Sequence, residues 1–141
     1  MLVVGVREAD HMEIQATSGK PPEVALRESL AMSTKAWVLV DGGMAVGMWG
    51  VAPWPHTPGL GVPWLLATNR FDLHHNRREL LRHTHKYVAA MGEGFDYLIN
   101  YTDARHRESH RWLKWAGFQL DDFRPHFGYE RRPFYRFSKE T

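Results

Sequence analysis

Apolar and polar positions alternate in several distinct rhythms along the chain. Lys35 to Val40 reads Lys-Ala-Trp-Val-Leu-Val, a β-branched and aromatic run that predicts a strand. Asp41-Gly42-Gly43 follows as a hairpin signal, because glycine supplies the positive φ that tight turns need, and Met44 to Val51 returns as the partner strand. Upstream, Leu2 to Arg7 has β-type residues and runs into charge at Asp10, which predicts a first strand. Pro21 and Pro22 suit a helix start, and Val24, Leu26, Leu30 and Met32 recur at near-helical spacing through Ser33.

Ala52 to Val62 carries three prolines and two glycines and reads as loop, since proline denies ladder hydrogen bonds. Pro63 to Thr68 is apolar on both faces and predicts a buried strand. Asn69 to Asn76 is polar loop. Arg77 to Met91 predicts a long helix with Leu80, Leu81, Tyr87, Val88 and Met91 on one face, stopped by Gly92 and Gly94. Tyr97 to Tyr101 is the next strand, and Arg107 to Ala116 a second helix ending at Gly117. Phe118 to Phe123 and Tyr129 to Phe137 close the chain as strands paired across Arg124 to Gly128. Two successive strand–helix–strand units call for parallel pairing by right-handed crossover, so the expected fold class is α/β: one domain over residues 1–141, a central mixed sheet with helices on both faces.

Composition narrows the chemistry. Hydrophobic residues make up 43% and aromatic residues 13% of the 141, values of a folded chain. Cysteine is absent, which removes disulfides, thiolate metal sites and cysteine nucleophiles. The N-terminus lacks the basic start and apolar stretch of a secretory signal, and no apolar run approaches the ~20 residues of a membrane span, so a soluble protein without a membrane partner is expected. Net charge is only +2, but it is uneven. Basic stretches run from Arg70 to Lys86, from Arg105 to Lys114, and around Arg131, Arg132 and Arg136. Such patches suit nucleic acid, a phosphate-bearing ligand or an acidic protein, or are simply solvated helix faces.

The order of elements, together with Ser109-His110-Arg111-Trp112-Leu113-Lys114-Trp115-Ala116-Gly117-Phe118, resembles the GNAT acetyltransferases, whose last helix ends in Gly-Phe before the next strand. Pro63-Trp-Leu-Leu-Ala-Thr68, Asn100-Tyr101, Arg111-Trp112-Leu113 and Gly117-Phe118 together resemble a narrower group, the internal virion protein A family of podophages, itself GNAT-like in pattern. That resemblance implies a phage or prophage protein of particle assembly, found in the virion or the host-cell cytoplasm, with other virion or assembly proteins as partners.

The GNAT resemblance also implies a site. These enzymes hold the CoA pyrophosphate on main-chain amides of a glycine-rich loop between the central strand and its helix. The matching stretch, Asp72-Leu73-His74-His75-Asn76-Arg77-Arg78, has no glycine. If acetyl-CoA binds, Leu66 and Thr68 would meet its pantetheine arm, and Arg77 and Arg78 its phosphates. A tyrosine that donates a proton to the leaving thiolate in many of these enzymes is replaced by Leu113, and an asparagine by His106. No catalytic residue is therefore assigned, and no cofactor is expected unless acetyl-CoA is retained. His106 and His110 stand four apart, but no acid shares their register, so no metal site is expected. Trp64, Trp112 and Trp115 read as core. Trp49, Trp54 and His56 flank or occupy the proline loop and read as a partner contact. The leading expectation is a virion or assembly protein with a degenerate acetyltransferase-like fold. The alternative is an acetyl-CoA-dependent N-acetyltransferase, and a third reading is a nucleic-acid-contacting accessory protein.

Overall fold

A computed structural model describes residues 7–141; the first strand expected at Leu2 to Arg7 lies outside them except for Arg7. The elements run α1 (Glu8–Ser18), α2 (Pro22–Met32), β1 (Lys35–Asp41), β2 (Met44–Pro53), β3 (Leu60–Ala67), a 3₁₀ turn (Asn69–Asp72), α3 (His74–Gly92), β4 (Tyr97–Asp103), α4 (Arg107–Trp115), β5 (Gln119–Phe127) and β6 (Arg132–Glu140). The strands form one mixed sheet in the order β1-β2-β3-β4-β6-β5.

The hairpin forms where the glycines place it: Gly42 and Gly43 adopt φ of 59° and 77°, the two positive values of a turn matched to strand twist. Pro22 starts α2 as expected. Four expectations need correction. α1 was not foreseen, because Glu8–Ser18 has little apolar periodicity. The proline loop is shorter than expected, since β2 runs to Pro53 and β3 begins at Leu60. The polar segment before α3 contains a 3₁₀ turn, and the helix starts at His74 rather than Arg77. The last hairpin turns at residues 128–131, beyond the expected Arg124 to Gly128.

Only one of the two crossover units pairs its strands. β3 and β4 are parallel neighbours, whereas β6 lies between β4 and β5 and is antiparallel to both. Helices cover both faces. On one, Trp37 and Trp49 pack against Tyr87 of α3, and Trp112 of α4 donates to Thr84 Oγ1 of α3 at 3.2 Å. On the other, Trp64 of β3 donates its indole N–H to Ser33 Oγ at the end of α2, at 2.8 Å. The core between α3, α4 and the sheet includes Val51, Leu80, Val88, Leu98, Leu113 and Phe137. β5 is an edge strand, broken by register shifts between Leu120 and Asp122 and between Arg124 and Phe127. No helix among the described residues is long and apolar enough to cross a membrane.

Candidate functional site: the opening between β3 and β4

β3 and β4 share only two parallel rungs, Leu60 with Tyr97 and Gly61 with Leu98, and then part. The sequence explains why they part there. Pro63 has no N–H to offer, and its carbonyl accepts the Asn100 side-chain amide at 2.7 Å. Strand backbones point their polar groups to alternate sides, so the carbonyl of Pro63 and both the amide and carbonyl groups of Leu65 and Ala67 face the opening. On β4, Tyr101 and Asp103 do the same. Beyond the clasp the opening joins a cavity of about 490 Å³. Leu26, Trp54 and Trp64 line it on the α1–α2 side, and Trp112 and Leu113 on the other.

The mouth of the opening is closed by α1 and the residue before it. Arg7 N–H donates to Ala67 O at 2.9 Å, and Asp10 Oδ2 accepts Ala67 N–H at 2.8 Å. On the opposite wall Glu13 Oε1 accepts Asp103 N–H at 2.9 Å. Arg7 and Asp10 are themselves paired at 3.0 Å and buried, at 6% and 4% exposure. The Arg7 guanidinium lies 4.7 Å from the Phe71 ring centre and reaches Glu108 at 3.5 Å. Glu108 in turn meets Arg77 at 3.3 Å, and Arg77 meets Asp72 at 2.8 Å. The hydrogen bond that Arg77 donates to Asp72, with Glu108 beside it, holds Arg77 more firmly charged than a free guanidinium.

The turn before α3 is equally tied down. Asn76 is 3% exposed, and its amide donates to Arg70 O at 2.8 Å and Asp41 Oδ2 at 3.2 Å. His75 Nε2 stands 2.7 Å from the same Asp41 oxygen. Those contacts, His75 first and Asn76 next, lower the Asp41 pKa. Side chains thus tie the turn to the β1–β2 hairpin, while no side chain caps the amides at the start of α3. The residues present do not fit acetyl-CoA in this arrangement, because α1 bridges the mouth of the opening.

The residues expected to meet such a cofactor scatter. Leu66 points its main chain toward β2 rather than into the opening; Leu65 and Ala67 face it. Thr68 is buried and donates its hydroxyl to Val46 O at 2.9 Å. Arg77 is engaged as described, and Arg78 is exposed with Nη2 2.7 Å from His74 Nε2. Of the three proposed contact residues, Trp49 is 5% exposed and packs edge-on to Tyr87, so it belongs to the core. Trp54 is half-buried against Tyr101, and His56 is exposed with a φ of 60°. Trp115, expected in the core, is 56% exposed.

Sequence reasoning missed Arg7, Asp10 and Glu13; only the clustering of charge in an N-terminal segment hinted at them. The two histidines near the opening differ. His106 is buried with Nδ1 3.5 Å from Glu13 Oε1; burial disfavours its charge, yet Glu13 and then Asp10 outweigh burial and raise its pKa. His110 is lowered, chiefly by burial beside Tyr135 and Phe137 and then by the charges of His106 and Lys114, which outweigh its contact with Asp103 O at 3.0 Å. No group of three or more metal-ligating side chains occurs among the described residues.

The parted parallel strands, the strand order and the helix placement match solved acetyltransferases. A GNAT family acetyltransferase from Elizabethkingia anophelis with acetyl-CoA bound superposes with a TM-score of 0.65 at 14% identity, over 92% of this chain and 89% of that one. An N-acetyltransferase from Staphylococcus aureus Mu50 gives 0.67 at 13% identity, over 94% and 89%. An IAA acetyltransferase from Bacillus cereus gives 0.63 at 16% identity, over 94% and 91%. The chain has the GNAT acetyltransferase fold. No protein-family model and no curated protein sequence matches it. In this chain α1 sits in the mouth of the β3–β4 opening.

Proposed function

We propose that this chain is a phage or prophage protein of acetyltransferase fold whose cofactor cleft is shut by its own α1, and that it serves in virion assembly or as a particle component without transferring acetyl groups. One observation carries the non-catalytic part: Asp10 and Glu13 take the Ala67 and Asp103 amides on the two walls of the opening. The glycine-free, cross-linked turn before α3 and the apolar Leu113 support it. The phage assignment rests on the sequence resemblance across Pro63 to Thr68, Asn100-Tyr101 and Arg111 to Phe118. Calorimetry of the full chain with acetyl-CoA at millimolar concentration should give no saturable heat. Mass spectrometry should find the chain in purified particles of the encoding phage or in their assembly intermediates. Absence from both, or acetyl-CoA binding by the unaltered chain, defeats the corresponding half.

A second reading is an acetyl-CoA-dependent N-acetyltransferase, and the structural neighbours support it more directly than they support the first. The observation favouring it is the space behind the mouth. Among the described residues the Leu65 main chain makes no hydrogen bond on that side, and the cavity of about 490 Å³ adjoins it. If α1 withdraws, those groups become available to an acyl carrier. Paired substitution of Asp10 and Glu13 by alanine tests this: acetyl-CoA binding gained by the variant, with acetylation of an amine, favours the enzyme, and continued absence of binding removes it.

A further inference from the structure

The tail basic stretch is neutralised only in part by its own chain: Arg136 pairs with Asp121 at 2.6 Å, and Arg124 before it with Asp122 at 2.7 Å, while Arg131 and Arg132 form no ion pair among the described residues. Arg105 is likewise held by Asp103 at 2.6 Å. The outer face of α3 and α4 is different. Arg78, Arg82 and Lys86 on α3, and Arg107, Arg111 and Lys114 on α4, make no ion pair among the described residues. All six are exposed. In their midst stands Trp115, 56% exposed, its ring 5.3 Å from that of His85. A groove beside the ring is walled by His74, Arg77, Arg78, Leu81, Arg82 and Trp115, and Arg111 stands one helical turn before Trp115 on α4.

We infer that this groove docks single-stranded nucleic acid, with Trp115 as the stacking platform for a base and Arg78, Arg82 and Arg111 receiving flanking phosphates. Charge complementarity points to a polyanion: Arg78 and Arg82 are one helical turn apart, as are Arg111 and Trp115, so cations and ring share one surface. The exposed indole selects among polyanions. An acidic peptide would use the cations and leave the ring idle, whereas bases stack on such a ring at about 1–3 kcal/mol each, independent of sequence. A duplex has no base face free to meet it. The groove lies on the outer face, outside the β3–β4 opening, although Arg77 and Arg78 in its wall would also meet the acetyl-CoA phosphates under the enzyme reading.

The experiment is fluorescence anisotropy of the full chain with a labelled oligothymidylate of about 20 nucleotides. Saturable binding should weaken roughly tenfold or more between about 50 and 200 mM salt, the behaviour of about three phosphate contacts on a single strand. Trp115→Ala and the double variant Arg78→Ala, Arg82→Ala should each weaken it about tenfold or more, while Arg131→Ala leaves it unchanged; thermal melts check that each variant is folded. No binding at about 50 mM salt, insensitivity to Trp115→Ala, an equal loss in Arg131→Ala, or equally tight binding of a polyglutamate peptide that ignores Trp115 would each overturn the assignment, the last in favour of an acidic protein partner.

Discussion

Glu13 on α1 accepts the main-chain amide of Asp103 on β4 at 2.9 Å, and the same carboxylate oxygen stands 3.5 Å from His106 Nδ1 at the start of α4. One side chain thus joins three elements, closes one wall of the β3–β4 opening and sets the charge of a buried imidazole.

That charge makes folding pH-dependent with a definite sign. The His106 pKa is raised above the ordinary value of about 6.5, so its protonated form adds stability that is complete below about pH 6.5 and fades as pH rises through the raised value. His110 runs the other way: its pKa is depressed, so its contribution is present above about pH 6.5 and is lost as pH falls toward the depressed value. NMR titration should place His106 above and His110 below the ordinary histidine value of about 6.5. Glu13→Gln should bring His106 down. Coincident titration of the two rings would contradict the arrangement.

Asp10 is buried and compensates both Arg7 and the Ala67 amide. Asp10→Ala leaves the buried Arg7 with only the longer contact to Glu108 at 3.5 Å and the Ala67 amide without its acceptor, and should cost about 3–5 kcal/mol. Replacing both members, Arg7→Met with Asp10→Leu, should cost less than Asp10→Ala alone. Urea denaturation measures both; equal losses would mean that the pair is not coupled.

Gly50 sits where three strands meet. A Cβ there would lie 2.5 Å from the Lys35 carbonyl oxygen and 3.0 Å from the Trp64 ring. The carbonyl belongs to a paired strand and cannot yield, so Gly50→Ala should destabilise by roughly 1–3 kcal/mol. A melt unchanged from the parent chain would refute the packing around Trp64.

Among the described residues, Asn100 supplies the side-chain clasp between the strands just past their last parallel rung. Asn100→Ala leaves the Pro63 carbonyl without its donor and should cost about 1–3 kcal/mol. Hydrogen exchange should rise at Leu98 and Tyr101 more than at β1. Uniform or unchanged exchange would argue against a local clasp.

Features set by single residues with special chemistry were legible in the sequence. Gly42 and Gly43 announced their turn, Pro22 its helix, and Leu80, Val88 and Met91 the buried face of α3, because those signals are local; Leu81, expected on the same face, is instead 45% exposed. The first helical turn of α3 was not, since His74 and His75 read as polar loop. α1 escaped for the complementary reason: it is held by ion pairs and main-chain contacts to residues far along the chain. On β3 both faces are apolar, so hydrophobic alternation could not fix which residues turn their main chain to the opening, and Leu66 was chosen where Leu65 and Ala67 belong. Trp115 shows the limit of composition: indole rings favour burial on average, and only the packing of α3 against α4 leaves this one outside.

The irregular outer strand β5 has a further consequence. Its two register shifts, with Pro125 between Arg124 and His126, deny an incoming chain a straight row of amides and carbonyls. Many copies could therefore be crowded side by side without zippering into a continuous ribbon, leaving neighbours to meet through side chains alone.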